Sequence, residues 1–330
     1  MNNFIGKRLL ISMLGACLLS SLSIASEGSP LSSWNKGYAK SSIISVVKQV
    51  TDTTSKFYVS KQERIAVFDL DGTLIPEQPM YSKLYFALLE INSSSRLSSQ
   101  WRKDALVTSG ISAAEPQKSR EYILKHDKEL MFTVHNGLMK DNYQKDVLNW
   151  FDKSLNPQSH RQFKSSAYKP MKQLIRYLEK NGFKVYIVTG TDTDFVRPIV
   201  QQLVGVSPTH VIGTQFGKNL IQDNGNLAIT YKNDSMFYNI QDNKVLNIDS
   251  IIGIRPIIAF GNSDDDMSML RWTDESKGLH LSGLIHHTDA KREWAYDRKG
   301  KVGKLDKALE YGKTHHWTIV DMKKDWKTIY

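Results

Sequence analysis

Three short runs of the sequence are apolar without interruption: Ile65 to Phe68, Val185 to Val188 and Ile257 to Phe260, followed by Asp, Thr and Gly respectively. Continuous rather than alternating hydrophobicity marks strands covered on both faces, so these runs are expected as central strands of a parallel sheet. Between them the apolar period changes. Met171, Leu174, Ile175 and Leu178 recur at i, i+3, i+4 and i+7, as do Val196, Ile199, Val200 and Leu203, the spacing of a single helix face. Strand and helix alternate, which predicts a doubly wound α/β domain.

The first run is followed by about a hundred residues before the helix at Met171, far more than a strand-to-helix connection needs. Helical spacing returns inside that stretch at Tyr81, Leu84, Tyr85, Leu88 and Leu89, more weakly around Ile123 and Leu130, and again at Val147, Leu148 and Phe151. The pattern predicts a helical cap domain over 77–168, inserted into a core made of 63–76 and 169–330. Asn219 to Lys232, with Asp223-Asn224-Gly225-Asn226 at its middle, reads as a β-hairpin. A leader segment, 26–62, is rich in Ser and Thr and carries one amphipathic stretch, Ile43 to Val50, expected to pack on the core.

At the start of the chain, Lys7 and Arg8 precede an apolar stretch from Leu9 to Ile24, and Ser23-Ile24-Ala25 offers small residues to a signal peptidase. Residues 1–25 are therefore expected to be a signal peptide, with export to the periplasm and a mature chain from Ser26. A competing reading takes Leu14-Gly15-Ala16-Cys17 as a lipoprotein box that would anchor the protein through lipid on Cys17. The apolar run continues past Cys17 through Leu18, Leu19 and Leu22, which favours the cleaved, unanchored form.

Composition narrows the classes further. With 330 residues, 40% of them hydrophobic, the chain can bury one sizeable core and a smaller appended unit. Cys17 is its one cysteine, so the mature chain has no internal disulfide and no thiol nucleophile. No later segment has the eighteen or so consecutive apolar residues of a membrane span. The net charge of +10 favours anionic ligands such as phosphorylated metabolites, but the basic residues are scattered, without a long tract or an aromatic-interleaved stripe. A basic solvated surface, with no nucleic-acid partner, is the expectation. Nothing in the sequence sets an oligomeric state.

Ligands of an open parallel sheet bind beyond the carboxyl ends of its strands. The three runs end in Asp69-Leu70-Asp71-Gly72-Thr73, Thr189-Gly190-Thr191 and Gly261-Asn262-Ser263-Asp264-Asp265-Asp266. Carboxylates at that density repel one another unless a cation sits among them, and an all-oxygen set suits Mg²⁺ better than zinc. A bound Mg²⁺ would draw in phosphate. Lys244 opens an expected helix, Lys244 to Ile252, that feeds the third strand, and is favoured as the balancing cation over Lys232. His286-His287-x-Asp289 fits no zinc spacing well and is expected to be structural or cleft-lining. His135 and Trp101 are left open between touching substrate and packing the cap.

Asp69-Leu70-Asp71-Gly72-Thr73-Leu74, Thr189, Lys244 and Gly261 to Asp266 resemble, in order and placement, the four motifs of the haloacid dehalogenase (HAD) superfamily. The resemblance spans roughly 63–290, and the insert resembles the helical caps of phosphoserine-phosphatase-like members. "HHTDAKREWAYDR" and the leader resemble exported bacterial hydrolases of the superfamily. The resemblance implies a HAD-type Rossmann-like core and a Mg²⁺-dependent phosphatase acting on small phosphomonoesters. It implies Asp69 as the nucleophile that forms an aspartyl-phosphate, and Asp71 as the acid and then base. Thr189, Gly190 and Lys244 would bind phosphate, while Mg²⁺ would bridge Asp69, the carbonyl of Asp71 and the acidic motif. Asn262 stands where an aspartate is usual, so the remaining ligand is Asn262 or Asp264, with Asp266 behind it. Two alternatives stay open: a phosphotransferase using the same intermediate, and a non-catalytic Mg²⁺- and phosphate-binding protein.

Overall fold

The computed structural model describes residues 30–93, 117–156 and 159–330; the expected signal peptide and Trp101 lie outside the described residues. Its strands are β1 (Ile65–Phe68), β2 (Lys184–Asp192), β3 (Val211–Asp223), β4 (Asn226–Phe237), β5 (Ile258–Gly261), β6 (Leu281–Thr288), β7 (Ala295–Tyr296) and β8 (Thr318–Asp321). They join in the order β4-β3-β2-β1-β5-β6-β7, with β8 paired to β6. All pairings are parallel except β3 with β4 and β6 with β7. Ala66 and Phe68 feed the larger apolar cluster, Ile65 and Val67 the other. That two-sided burial is why β1 has no polar alternation.

Helices cover both faces: α1 (Tyr38–Thr51), α2 (Ser82–Ser93), α3 (Gln117–Lys125), α4 (Asp127–His135), α5 (Lys140–Lys153), α6 (Lys169–Lys180), α7 (Thr193–Val204), α8 (Asp242–Ile252), α9 (Met267–Asp274), α10 (Lys307–Thr314) and α11 (Met322–Asp325). α6 and α7 bury the apolar rows their spacing predicts. The doubly wound α/β architecture is as expected. Helices α2 to α5 lie within the 77–168 stretch, and there Phe86 meets Tyr143 and Trp150 of α5 and, outside the stretch, Phe195 of α7 in ring contacts of 5.7–5.8 Å. Leu89 and Leu148, both counted in the apolar rows, are exposed instead. They lie at the edge of stripes whose middle already fills the contact. Among the described residues no helix is long and apolar enough to cross a membrane.

Two connections differ from the sequence reading. The hairpin is longer than 219–232: β3 starts as a parallel partner of β2 up to Thr214 and pairs antiparallel with β4 from Gln215 on. Its turn, Asn224 and Gly225, has φ of 49° and 84°, the positive pair of a tight two-residue hairpin. β2 also runs past Val188. Val188 pairs with Ile212 but Asp192 with Thr214, so the strand carries a bulge at Thr189–Thr191, and a bulge re-aims side chains. The leader packs as α1, burying Ile43, Val46, Val47 and Val50. Trp34 meets Trp326 edge-on at 6.0 Å, and the segment ends exchange backbone bonds, Asn35 N–H to the Asp325 carbonyl (2.7 Å) and Lys327 N–H to the Ser33 carbonyl (2.9 Å).

Candidate active site

The loop after β1 turns back on itself at once: Leu74 N–H donates to the Leu70 carbonyl and Gly72 N–H to the Ile75 carbonyl. Gly72 sits at φ 79°, and a Cβ there would run into the Asn262 amide and the Glu77 carboxylate. Only glycine fits both the backbone and the space. The turn leaves Asp69 and Asp71 facing one cleft, whose other walls include Thr189 and Gly190 from the β2 bulge and Lys244 from α8. Asn239 fixes that bulge by donating to the carbonyls of Thr189 (3.0 Å) and Ile212 (3.1 Å).

Lys244 is 2% exposed and donates to Asp69 Oδ1 at 2.7 Å and to Asp266 Oδ1 at 2.6 Å. The start of α8 is held tightly: Gln241 has φ 52° and bonds Asp265 through both its N–H (2.9 Å) and its side chain (3.0 Å). A left-handed non-glycine residue at a helix start is costly and persists only when its surroundings fix it. Asp266 Oδ2 accepts the N–H groups of Asn262 (2.9 Å) and Ser263 (3.1 Å), so this carboxylate orients the loop and the lysine together.

One ammonium thus serves two buried carboxylates. Burial, reinforced by the Asp266 charge and only partly offset by Lys244, pushes Asp69 up to about 8. Burial also raises Asp71, against a hydrogen bond of 2.7 Å from Thr191 Oγ1 to its Oδ2. Burial works against the Lys244 ammonium, but Asp266 and Asp69 outweigh it and its pKa lies above the ordinary lysine value. Lys244 and Lys83 face Asp69, Asp71, Glu77 and Asp265 in the cleft, which is therefore short of positive charge. The candidate donors are all oxygens: the Asp69 and Asp71 carboxylates on its wall and, in the same turn and the loop bonded to it, the Asp71 carbonyl and the Asn262 amide. Among the described residues no three Asp, Glu, His or Cys side chains surround one point. A cation here would therefore rest on a mixed set that includes backbone and amide oxygen, which suits a hard ion.

Several residues fall outside this constellation. Asp264 does not line the cleft: its Oδ1 accepts the N–H groups of Asp306 (2.9 Å) and Ala308 (3.0 Å), capping α10. One of its two carboxylate oxygens is therefore committed to a helix start. Lys232 pairs with Asp234 at 3.3 Å on the hairpin. His135 is packed among Tyr143, Phe216 and Tyr231, with Nδ1 against the Met131 carbonyl at 2.7 Å. His286 lies 3.5 Å from Asp297.

Four further residues matter here, of which Glu77 and Lys83 carried no expectation from the sequence and His287 was expected to be structural or cleft-lining. Thr191 fixes the Asp71 carboxylate. His287 places Nε2 2.7 Å from the Gly72 carbonyl and Nδ1 3.3 Å from Glu293, bracing the loop from behind. Glu77 lines the cleft beside the two aspartates. Lys83, on the first insert helix, reaches the cleft with its ammonium 3.2 Å from Asp127 and 5.6 Å from the ring centres of Tyr81 and Tyr238.

A family model described as haloacid dehalogenase-like hydrolase matches residues 66–271. No curated protein matches the chain. Among solved structures it is similar to a conserved protein of unknown function from Anaerococcus prevotii (16% identity, 76% of this chain and 86% of that one, TM-score 0.47). It is also similar to a HAD family hydrolase from Salmonella enterica serovar Typhi (12% identity, 80% and 69%, TM-score 0.40). A third is a phosphoserine phosphohydrolase-like protein from Francisella tularensis (15% identity, 67% and 86%, TM-score 0.36).

Proposed function

Because the chain belongs to the haloacid dehalogenase-like hydrolase family, we propose that it is an exported, Mg²⁺-dependent phosphatase that hydrolyses small phosphomonoesters through an aspartyl-phosphate on Asp69. The observation that carries the reading is the pair of buried carboxylates, Asp69 and Asp71, in one cleft with a single ammonium bonded to the first.

An Asp69 oxygen attacks phosphorus, the bond from phosphorus to the leaving oxygen breaks, and Asp71 gives that oxygen its proton. The raised pKa of Asp71 keeps the proton available, and Thr191 holds the carboxyl in place. In the second half Asp71 takes a proton from water, whose oxygen attacks phosphorus and releases Asp69. Thr189, the Gly190 backbone and Lys244 steady the phosphoryl oxygens throughout. Asp69, the Asp71 carbonyl and Asn262 would hold Mg²⁺, which supplies positive charge against the phosphoryl group. Tyr81 and Lys83 bring the insert to the same cleft, so the insert is where the leaving group is chosen. Access past it suits small esters better than folded phosphoproteins.

Purified residues 26–330 should release phosphate from an aryl phosphate and from a panel of small phosphoesters in Mg²⁺. EDTA should suppress the rate by on the order of 100-fold or more, and added Mg²⁺ should restore it. Silence across the panel from folded, Mg²⁺-loaded protein would sink the reading. Export rests on the charged and apolar pattern of residues 1–25. Intact mass of protein recovered from the periplasm should correspond to a chain starting at Ser26, whereas a lipid-modified Cys17 would replace this with membrane anchoring.

A further inference from the structure

Asn262 is buried and its amide is pinned on both sides. Nδ2 donates to Glu77 Oε1 at 2.6 Å, and Thr73 Oγ1 donates to Oδ1 at 2.9 Å. The amide nitrogen thus faces Glu77, and the oxygen faces Thr73 in the loop that carries Asp69 and Asp71. Glu77 in turn has a built seat. Its Oε1 also accepts from Tyr296 Oη at 2.7 Å, and a Cβ at either Gly72 or Gly303, both at positive φ, would collide with that oxygen.

No Lys or Arg pairs with Glu77 among the described residues. Glu77 is only 3% exposed. A carboxylate kept from water, without a counter-ion and lining the same cleft as two others, is matched by a cation in that cleft. A neutral amide at 262 cannot provide the charge, but the carboxylate bonded to it can.

We propose that Glu77 and Asn262 act as one hydrogen-bonded unit in the metal site, with Asn262 supplying the oxygen and Glu77 the negative charge. The proposal rests on the Mg²⁺-dependent reading above. Glu77 is a positioning residue in this scheme, fixing which way the amide faces and setting the charge behind it.

The test is a charge swap read by metal affinity, using Mn²⁺ followed by electron paramagnetic resonance and Mg²⁺ by calorimetry, with thermal melts on every variant. Glu77→Gln keeps size and hydrogen bonding but removes the charge, and should weaken metal binding about tenfold or more. Adding Asn262→Asp to it moves the charge across the hydrogen bond and should bring affinity back to within about threefold of the original. Unchanged affinity in Glu77→Gln overturns the proposal, as does a double variant as weak as the single. Should Glu77→Gln not fold, Asn262→Leu serves, because it removes the amide oxygen and its hydrogen bond to Glu77 while leaving the carboxylate in place, and it should weaken metal binding about tenfold or more. Unchanged affinity in that variant overturns the proposal. An unsubstituted protein that binds neither ion would instead bring down the metal-dependent reading itself.

Discussion

Asp69→Asn should abolish phosphate release, lowering the rate by on the order of 10⁴-fold or more, as loss of a covalent nucleophile does elsewhere. The amide fills the same space but cannot attack phosphorus. Folding should survive, because Lys244 keeps Asp266 at 2.6 Å when the Asp69 charge is gone. The metal-free protein offers an independent check through pH. Asp69 titrates near 8 when folded against 3.8 as its ordinary value, so between these limits the folded state binds more protons than the unfolded one. Stability then falls as pH rises from about 4 to 8. Asparagine does not titrate, and the pH dependence of the metal-free melting temperature should flatten across that window in the variant. A variant retaining more than about a hundredth of the original rate would remove Asp69 from the reaction.

Lys244→Met should fail in two ways at once. It strips the ammonium from two buried carboxylates, and breaking such a buried arrangement from one side costs about 3–5 kcal/mol. For a domain of this size that corresponds to a drop of roughly 10 °C in melting temperature. Phosphate release should fall by on the order of 10³-fold, the scale of losing a charged group on a transferring phosphoryl. The two effects separate on addition of Mg²⁺, which offsets the uncompensated carboxylates and restores stability while leaving the rate low. A methionine variant with unchanged melting temperature and rate would show that the lysine between Asp69 and Asp266 is dispensable.

Much of the core was readable because each central strand announces itself by a continuous apolar run and each run ends in the residues that face the cleft. Asp69, Asp71 and Thr189 are legible that way and Lys244 from the helix ahead of the third run, and the structure brings all four together. What local pattern could not carry was direction. Asp264, Asp265 and Asp266 are alike in sequence, and a single 3-10 turn aims the first at α10, the second at Gln241 and the third at Lys244. Glu77 sits in a Pro76–Pro79 stretch with no periodicity, and its partners Asn262 and Tyr296 lie far along the chain. Lys83 reads as an ordinary charged helix residue until Asp127 and two tyrosines close around it. His287 was expected to be structural or cleft-lining, but its partner, the Gly72 carbonyl, lies far back along the chain and could not be named from the sequence.

The strand at the middle of the sheet is the first one made. β1 borders β2, which begins at Lys184, and β5, which begins at Ile258, while Trp34 waits for Trp326. Each of these closures spans a long stretch of chain and must be made before neighbouring contacts reward it. The centre of the sheet is therefore left open on one side until β5 has emerged. A chain leaving the ribosome carries an unfinished core for most of its length.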